Sequence, residues 1–192
     1  MAIATVSRQQ GQSMVLFFIG TGAVFVLCTV YVGLNYVPIN VPNVTSLSER
    51  LVLASRWLVL SLLPMIYGVV NIAFTRFSNI ETAGINPSLV ISEHLTGMKQ
   101  RALQNTLEQT VIHVAAVLAL STYLEGDRLK LVPISVFLFL CGRVTFYIGY
   151  LGTRNPLYRA FGFATTSITN IAVIAYGLYY LFSSGVGQGF SS

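Results

Sequence analysis

Charge is what this 192-residue chain has least of. Asp, Glu, Lys and Arg together make up 9% of it, where a soluble domain carries about a quarter. That shortage excludes an ordinary water-soluble globule. Its two cysteines, Cys28 and Cys141, both fall inside apolar runs, so a disulfide framework is excluded and they read as small buried apolar residues. With only two histidines, His94 and His113, the chain lacks the ligands of a zinc centre, and no metal site is expected. No cluster of Lys and Arg is present to grip nucleic acid. The alternating ten-residue pattern of a membrane barrel is missing too, as are internal repeats, a nucleotide-binding glycine motif and a serine-triad signature.

What the chain has is long apolar sequence. Hydrophobic residues make up 54%, and the mean hydropathy is +0.71. About 20 apolar helical residues cross a bilayer. Five segments qualify: Met14–Val37, Leu51–Thr75, Arg101–Leu124, Leu131–Thr153 and Ala160–Phe182. The fold class is therefore all-α, a polytopic membrane helix bundle. The first run is longer than the apolar part of a cleavable signal peptide and reads as a retained helix.

The organisation follows from these runs. Residues 1–13 form a polar lead, 14–50 an N-terminal span and its loop, 51–183 a four-span domain, and 184–192 a Gly/Ser-rich flexible tail. Arg76–Gln100 reads as the longest loop, Glu125–Lys130 as a solvated charged turn, and Pro156 as the stop of the fourth helix. Pro64 predicts a kink in the second span. If the N-terminus is cytosolic, the loops on that side hold Arg8, Arg76, Lys99, Arg101, Arg154 and Arg159, and the far side holds Arg50, Arg128 and Lys130. Six against three favours that orientation. It places the sequon Asn43-Val44-Thr45 on the lumenal side.

Two stretches carry polar chemistry. In RALQNTLEQ, residues 101–109, Arg101, Asn105 and Glu108 recur at i, i+4 and i+7 on one helical face. Either Arg101 and Glu108 bridge within the helix, or the face receives a polar ligand of both charge signs. In GRVTFYIGYLGTRNPLYR, residues 142–159, Arg143, Tyr147, Tyr150 and Arg154 form a stripe with Phe146 beside it. Arg143 lies too deep to snorkel and needs an acceptor, for which Glu108 is the best carboxylate. Tyr147 and Tyr150 are either interfacial packing or ligand contacts. Arg154 and Arg159 either close over a cytosolic pocket or anchor to headgroups. Cations, amide and tyrosines around one carboxylate suit a zwitterion with two carboxylates and an ammonium, as glutathione is. His113 reads as a core histidine, Arg56 as a snorkelling interface residue, and Asn71 and Asn170 as interhelical hydrogen-bonding residues.

The pattern R-A-x-x-N-x-x-E at residues 101–108, followed two segments on by R-x-x-x-x-x-x-Y at 143–150 and a later Arg, resembles the membrane-associated proteins in eicosanoid and glutathione metabolism. That family includes microsomal glutathione transferases and a microsomal prostaglandin E synthase. The resemblance covers roughly residues 51–182. Since the family has four spans, residues 14–37 would be an extra N-terminal helix, as in its five-span mattrin-like branch. The resemblance implies glutathione as the bound thiol, held by Arg101, Asn105, Glu108 and Tyr150, with Arg159 stabilising the thiolate and Arg76 completing the site; Arg143, Tyr147 and Arg154 join it as candidates from the stripe. It also implies a homotrimer with sites between subunits, and a lipophilic electrophile reaching the thiol from the bilayer. Gln104, Phe146 and Ala160 stand where the prostaglandin synthase has Arg, His and Ser, so the reacting end differs more than the binding end. The expected function is a glutathione-dependent transferase or thiol-dependent reductase of the endomembrane system: endoplasmic reticulum, Golgi or lysosome. The alternative is a non-catalytic membrane regulator of trafficking or receptor level that keeps the pocket and acts through membrane-protein partners. A transporter is a weaker third reading.

Overall fold

A computed structural model describes residues 7–42, 44, 46–85, 90–153 and 156–187, with backbone alone at 90–93 and 156. Every regular element among the described residues is helical. Arg154 and the sequon residues Asn43 and Thr45 lie outside the described residues, as do positions 1–6 of the lead and 188–192 of the tail.

Capping boxes set two of the helix starts. Helix α1 spans Arg8–Asn35, opened by Ser7 and Gln10, whose side chains and backbone amides bond reciprocally. Helix α2 spans Leu47–Leu58, opened in the same way by Ser46 and Glu49. Both begin before the apolar runs do, because the cap satisfies the orphan amides of the first turn regardless of hydropathy. After α2, one 3₁₀ turn (Val59–Leu62) leads into α3, Leu63–Ser78, with Pro64 in its first turn. Proline lacks the amide that would continue the α pattern, so the expected kink takes the form of a tightened turn.

Helix α4 spans Val90–Tyr123. The loop expected over Arg76–Gln100 is therefore much shorter, and RALQNTLEQ lies well inside a helix instead of opening one. Hydropathy marks only the part of a helix that meets lipid; helix formers such as Met98, Lys99 and Gln100 carry this one beyond it. Helix α5 spans Leu131–Tyr147 and continues as a π-helical turn, Ile148–Gly152. Helix α6 spans Arg159–Ser184.

Among the described residues, four stretches are long and apolar enough to cross a membrane: Arg8–Asn35, Leu47–Ser78, Gly126–Gly152 and Arg159–Ser184. The third expected span, Arg101–Leu124, is not among them. At 34 residues α4 is long enough, but its polar side chains lower its hydropathy. Thr106, Thr110 and His113 are turned into the bundle and fully or almost fully buried, so protein and not lipid is their solvent. Hydropathy is a test of lipid-facing helices and undercounts one whose polar face is covered.

Helix α5 packs against α6 more extensively than any other pair, with α1 laid over α6 and α4 over α3 and α6. Gly162 allows the α5–α6 approach: a Cβ there would fall on the backbone of Phe146. Buried Val117, Leu120, Leu129, Val132, Val136 and Val173 form the main core. Cys141 is half-buried, whereas Cys28 is exposed on α1. This corrects the expectation of two buried thiols: α1 is peripheral and turns most of its surface outward.

Candidate functional site

Arg143 is the largest fully buried side chain among the described residues. It sits on α5 facing both α4 and α6. Its Nη1 donates to Asn105 Oδ1 at 2.9 Å. Its Nε and Nη2 donate to Thr166 Oγ1 at 3.1 and 2.8 Å. The Thr166 hydroxyl donates in turn to the Gly162 carbonyl at 2.7 Å, leaving its lone pairs to the guanidinium. The Phe146 ring lies 4.6 Å from the guanidinium carbon, a cation–π contact. Glu108 is not the acceptor. The expected pairing fails because Asn105, three residues earlier on α4, points at Arg143 while Glu108 points outward. A buried cation is thus held entirely by neutral groups.

Asn105 and Phe146, both in contact with Arg143, line a cavity of about 520 Å³ together with Arg101, Tyr150, Arg159 and Phe163. Arg159, the first residue of α6, lies with its guanidinium carbon 4.5 Å from the centre of the Tyr150 ring. Tyr150 in turn packs on Phe146, ring centres 5.7 Å apart. Tyr150 belongs to the π-helical turn, whose extra residue per turn rotates it away from Tyr147. Helix α6 can begin beside it because the Gly149 backbone touches that of Tyr158 and Arg159 with no space for a side chain.

The other sequence candidates divide. Glu108 is exposed, outside this lining, and accepts a hydrogen bond from Gln104 Nε2 at 3.0 Å. Arg101 and Glu108 do not bridge: the two ion pairs among the described residues are Arg50–Glu125 and Lys130–Asp127. Tyr147 turns to the opposite side of α5, against the Tyr67 ring at 5.1 Å and the Gly68 backbone. The stripe read from the sequence is therefore split. Arg76 ends α3, half-buried, and a single chain does not bring it to the cavity.

Sequence reasoning missed Thr166 and Phe163. The signal available for Thr166 was a Thr-Thr pair, Thr165-Thr166, within an apolar helix opposite a buried arginine. The charged turn expected to be solvated is in part structural: Arg50, 6% exposed, bonds Glu125 Oε1 at 3.0 Å and the Thr122 carbonyl at 3.2 Å. Arg128 reaches the Tyr180 hydroxyl. His113 is a core residue, as expected. Its Nδ1 pairs with Asn170 Oδ1 at 2.9 Å, its ring stacks on Phe139, and Asn170 Nδ2 bonds Gln109 on α4. Asn71 bonds Tyr67 on its own helix instead of a neighbouring one. Arg56 is exposed near the end of α2. No group of three potential metal ligands occurs among the described residues.

Comparison with known proteins bears on the same region. The MAPEG family model matches residues 52–179, which include all of α3, α4 and α5 and most of α6. The chain belongs to the MAPEG family. Within it, the chain is similar to Transmembrane protein 79 of Mus musculus, 26% identical over 83% of this chain and 39% of the relative. It is also similar to Transmembrane protein 79 of Bos taurus, 22% identical over 85% of this chain and 40% of the relative. The chain thus spans about two-fifths of the length of these relatives. No solved structure matches it. The family match begins inside α2, so α1 is an addition to the MAPEG region.

Proposed function

We propose that this MAPEG protein binds glutathione at the cavity between α4, α5 and α6 and uses its thiol on lipophilic electrophiles, by transfer or reduction. The observation that carries the reading is the cation-rich lining: Arg101 and Arg159, an amide and a phenol, over the buried charge of Arg143 and with no carboxylate. Its volume lies in the usual range for small-molecule sites. Two carboxylates fit such a lining. Glutathione supplies the thiol that acts as nucleophile. Arg101 and Asn105 bind carboxylate, and Arg143 holds the Asn105 amide so that its NH₂ faces outward. Glu108, exposed one turn along α4, takes the ammonium. Arg159, cradled on Tyr150, favours thiolate over thiol by its charge. Each unit by which it lowers the thiol pKa is worth about 1.4 kcal/mol.

A homotrimer is part of this proposal. Arg101, Gln104, Leu107, Glu108 and Val111 share an exposed face of α4. Polar groups on a face at membrane depth call for protein cover, and a second copy provides it, bringing Arg76 of a neighbour within reach of the cavity. The loop charges favour a cytosolic N-terminus, with the cavity at that end, in an endomembrane compartment. The second reading, a regulator acting by helix contact, is favoured by α1, which covers α6 and leaves an outer face of Leu16, Phe17, Val24, Leu27 and Tyr31.

Calorimetry on the detergent-solubilised protein decides between them. Glutathione is expected to bind at millimolar or better, Glu108→Gln to weaken it by about tenfold, and Arg159→Ala to lower conjugation of a hydrophobic electrophile far more than it lowers binding. Absence of binding, or conjugation indifferent to Arg159, sinks the enzymatic reading.

A further inference from the structure

On the other side of α5 runs a second groove, of about 770 Å³, between α3 and α5, with Lys99 of α4 in its lining. Leu63, Leu140, Val144, Ile148 and Leu151 make its long apolar wall. Its polar groups are Lys99, Asn71, Tyr67 and Tyr147. Lys99 Nζ donates to Thr75 Oγ1. The Thr75 hydroxyl passes its own proton to the Asn71 carbonyl at 2.8 Å, so it accepts from the ammonium without neutralising it. Among the described residues no carboxylate pairs with Lys99; the two ion pairs lie at the opposite end of the bundle. A cation with no counterion among the described residues stands over an apolar furrow that descends from the end carrying Arg76 and Arg159 towards mid-membrane. α5 separates it from the cavity described above: Phe146 and Tyr150 line that one, Val144, Ile148 and Leu151 this one.

We propose that this groove seats an anionic phospholipid, its phosphodiester on Lys99 and one acyl tail along α5 between Leu151 and Leu140. A single ammonium matches the single charge of a phosphodiester. The Asn71 amide and Tyr67 hydroxyl, already bonded to each other at 3.1 Å, offer neutral partners to the glycerol esters. Basic pockets between helices at a cytosolic membrane surface select anionic headgroups in general. The second tail stays in the bilayer, because the furrow has one channel.

The test uses full-length protein in phosphatidylcholine nanodiscs doped with phosphatidylglycerol carrying a photoactivatable tail, with labelled residues mapped by mass spectrometry. Labelling is expected to concentrate on Leu63, Val144 and Ile148 and to fall about tenfold in Lys99→Gln, the cost of one charge-assisted bond. Val144→Trp, which fills the furrow without touching the charge, is expected to abolish it. Neither variant should alter glutathione binding, which separates this site from the other. The proposal fails if labelling is spread around the bundle, if Lys99→Gln leaves it unchanged, if phosphatidylcholine competes as well as phosphatidylglycerol, or if palmitate alone displaces the probe.

Discussion

Two buried arginines sit in opposite halves of the bundle and are held differently. Arg50 pairs with Glu125, a carboxylate whose side chain is 62% exposed. Its charge is balanced inside the chain. Arg143, with no exposure at all, is held by an amide, a hydroxyl and an aromatic ring. Its charge is accommodated but not cancelled, beside the cavity that Asn105 and Phe146 line. A balanced ion pair serves architecture; a cation solvated by neutral dipoles leaves a field that a ligand can use.

The comparison can be broken from outside the arginine first. Gly162→Ala places a methyl group on the Phe146 backbone, which forces α6 away from α5 and takes Thr166 off Arg143. A loss of about 3 kcal/mol is expected from overpacking, with glutathione binding lost, as read by thermal melts and calorimetry in detergent. Next, Arg143→Met leaves Asn105 Oδ1 and Thr166 Oγ1 without their charged donor. It should cost about 2 kcal/mol and weaken glutathione disproportionately; unaltered affinity would show that the field does not reach the ligand. Smallest, Glu125→Gln should cost about 1 kcal/mol or less, since water solvates the exposed end of that pair, and should leave glutathione affinity unchanged. If Glu125→Gln weakened the ligand as much as Arg143→Met, the division between the two halves would be wrong.

How far the sequence could be read depends on which environment a residue answers to. The spans α1, α5 and α6 were legible because lipid imposes its own composition on long runs. Asn105, Tyr150 and Arg159 are candidates by family spacing, and the chain brings these three together with Arg101 around one cavity. The extent of α4 was not legible, because its polar face is solvated by other helices. The capping boxes at Ser7 and Ser46 are legible in principle, but hydropathy marks only the apolar runs, which begin several residues after the helices do.

Partnerships were the harder part. Arg143 demands acceptors from composition and depth alone, but Asn105 and Glu108, one turn apart on the same helix, are equivalent candidates until the rotation of α4 is known. That rotation is fixed by packing against α3 and α6, through contacts as particular as Gly68 under Tyr147. The π-helical turn at 148–152 then separates Tyr147 from Tyr150, a displacement that regular helical spacing does not anticipate.

The sequence by itself determined that the chain is helical, lies in a membrane and gathers polar and charged side chains at residues 101–108 and 143–159, because the cost of charge in hydrocarbon leaves few places for such residues. Only the tertiary structure decided which of them meet. The physical reason is that a polar group buried in a bundle takes whichever partner the helix rotations bring within 3 Å, and those rotations are set by the close packing of side chains far apart in the chain.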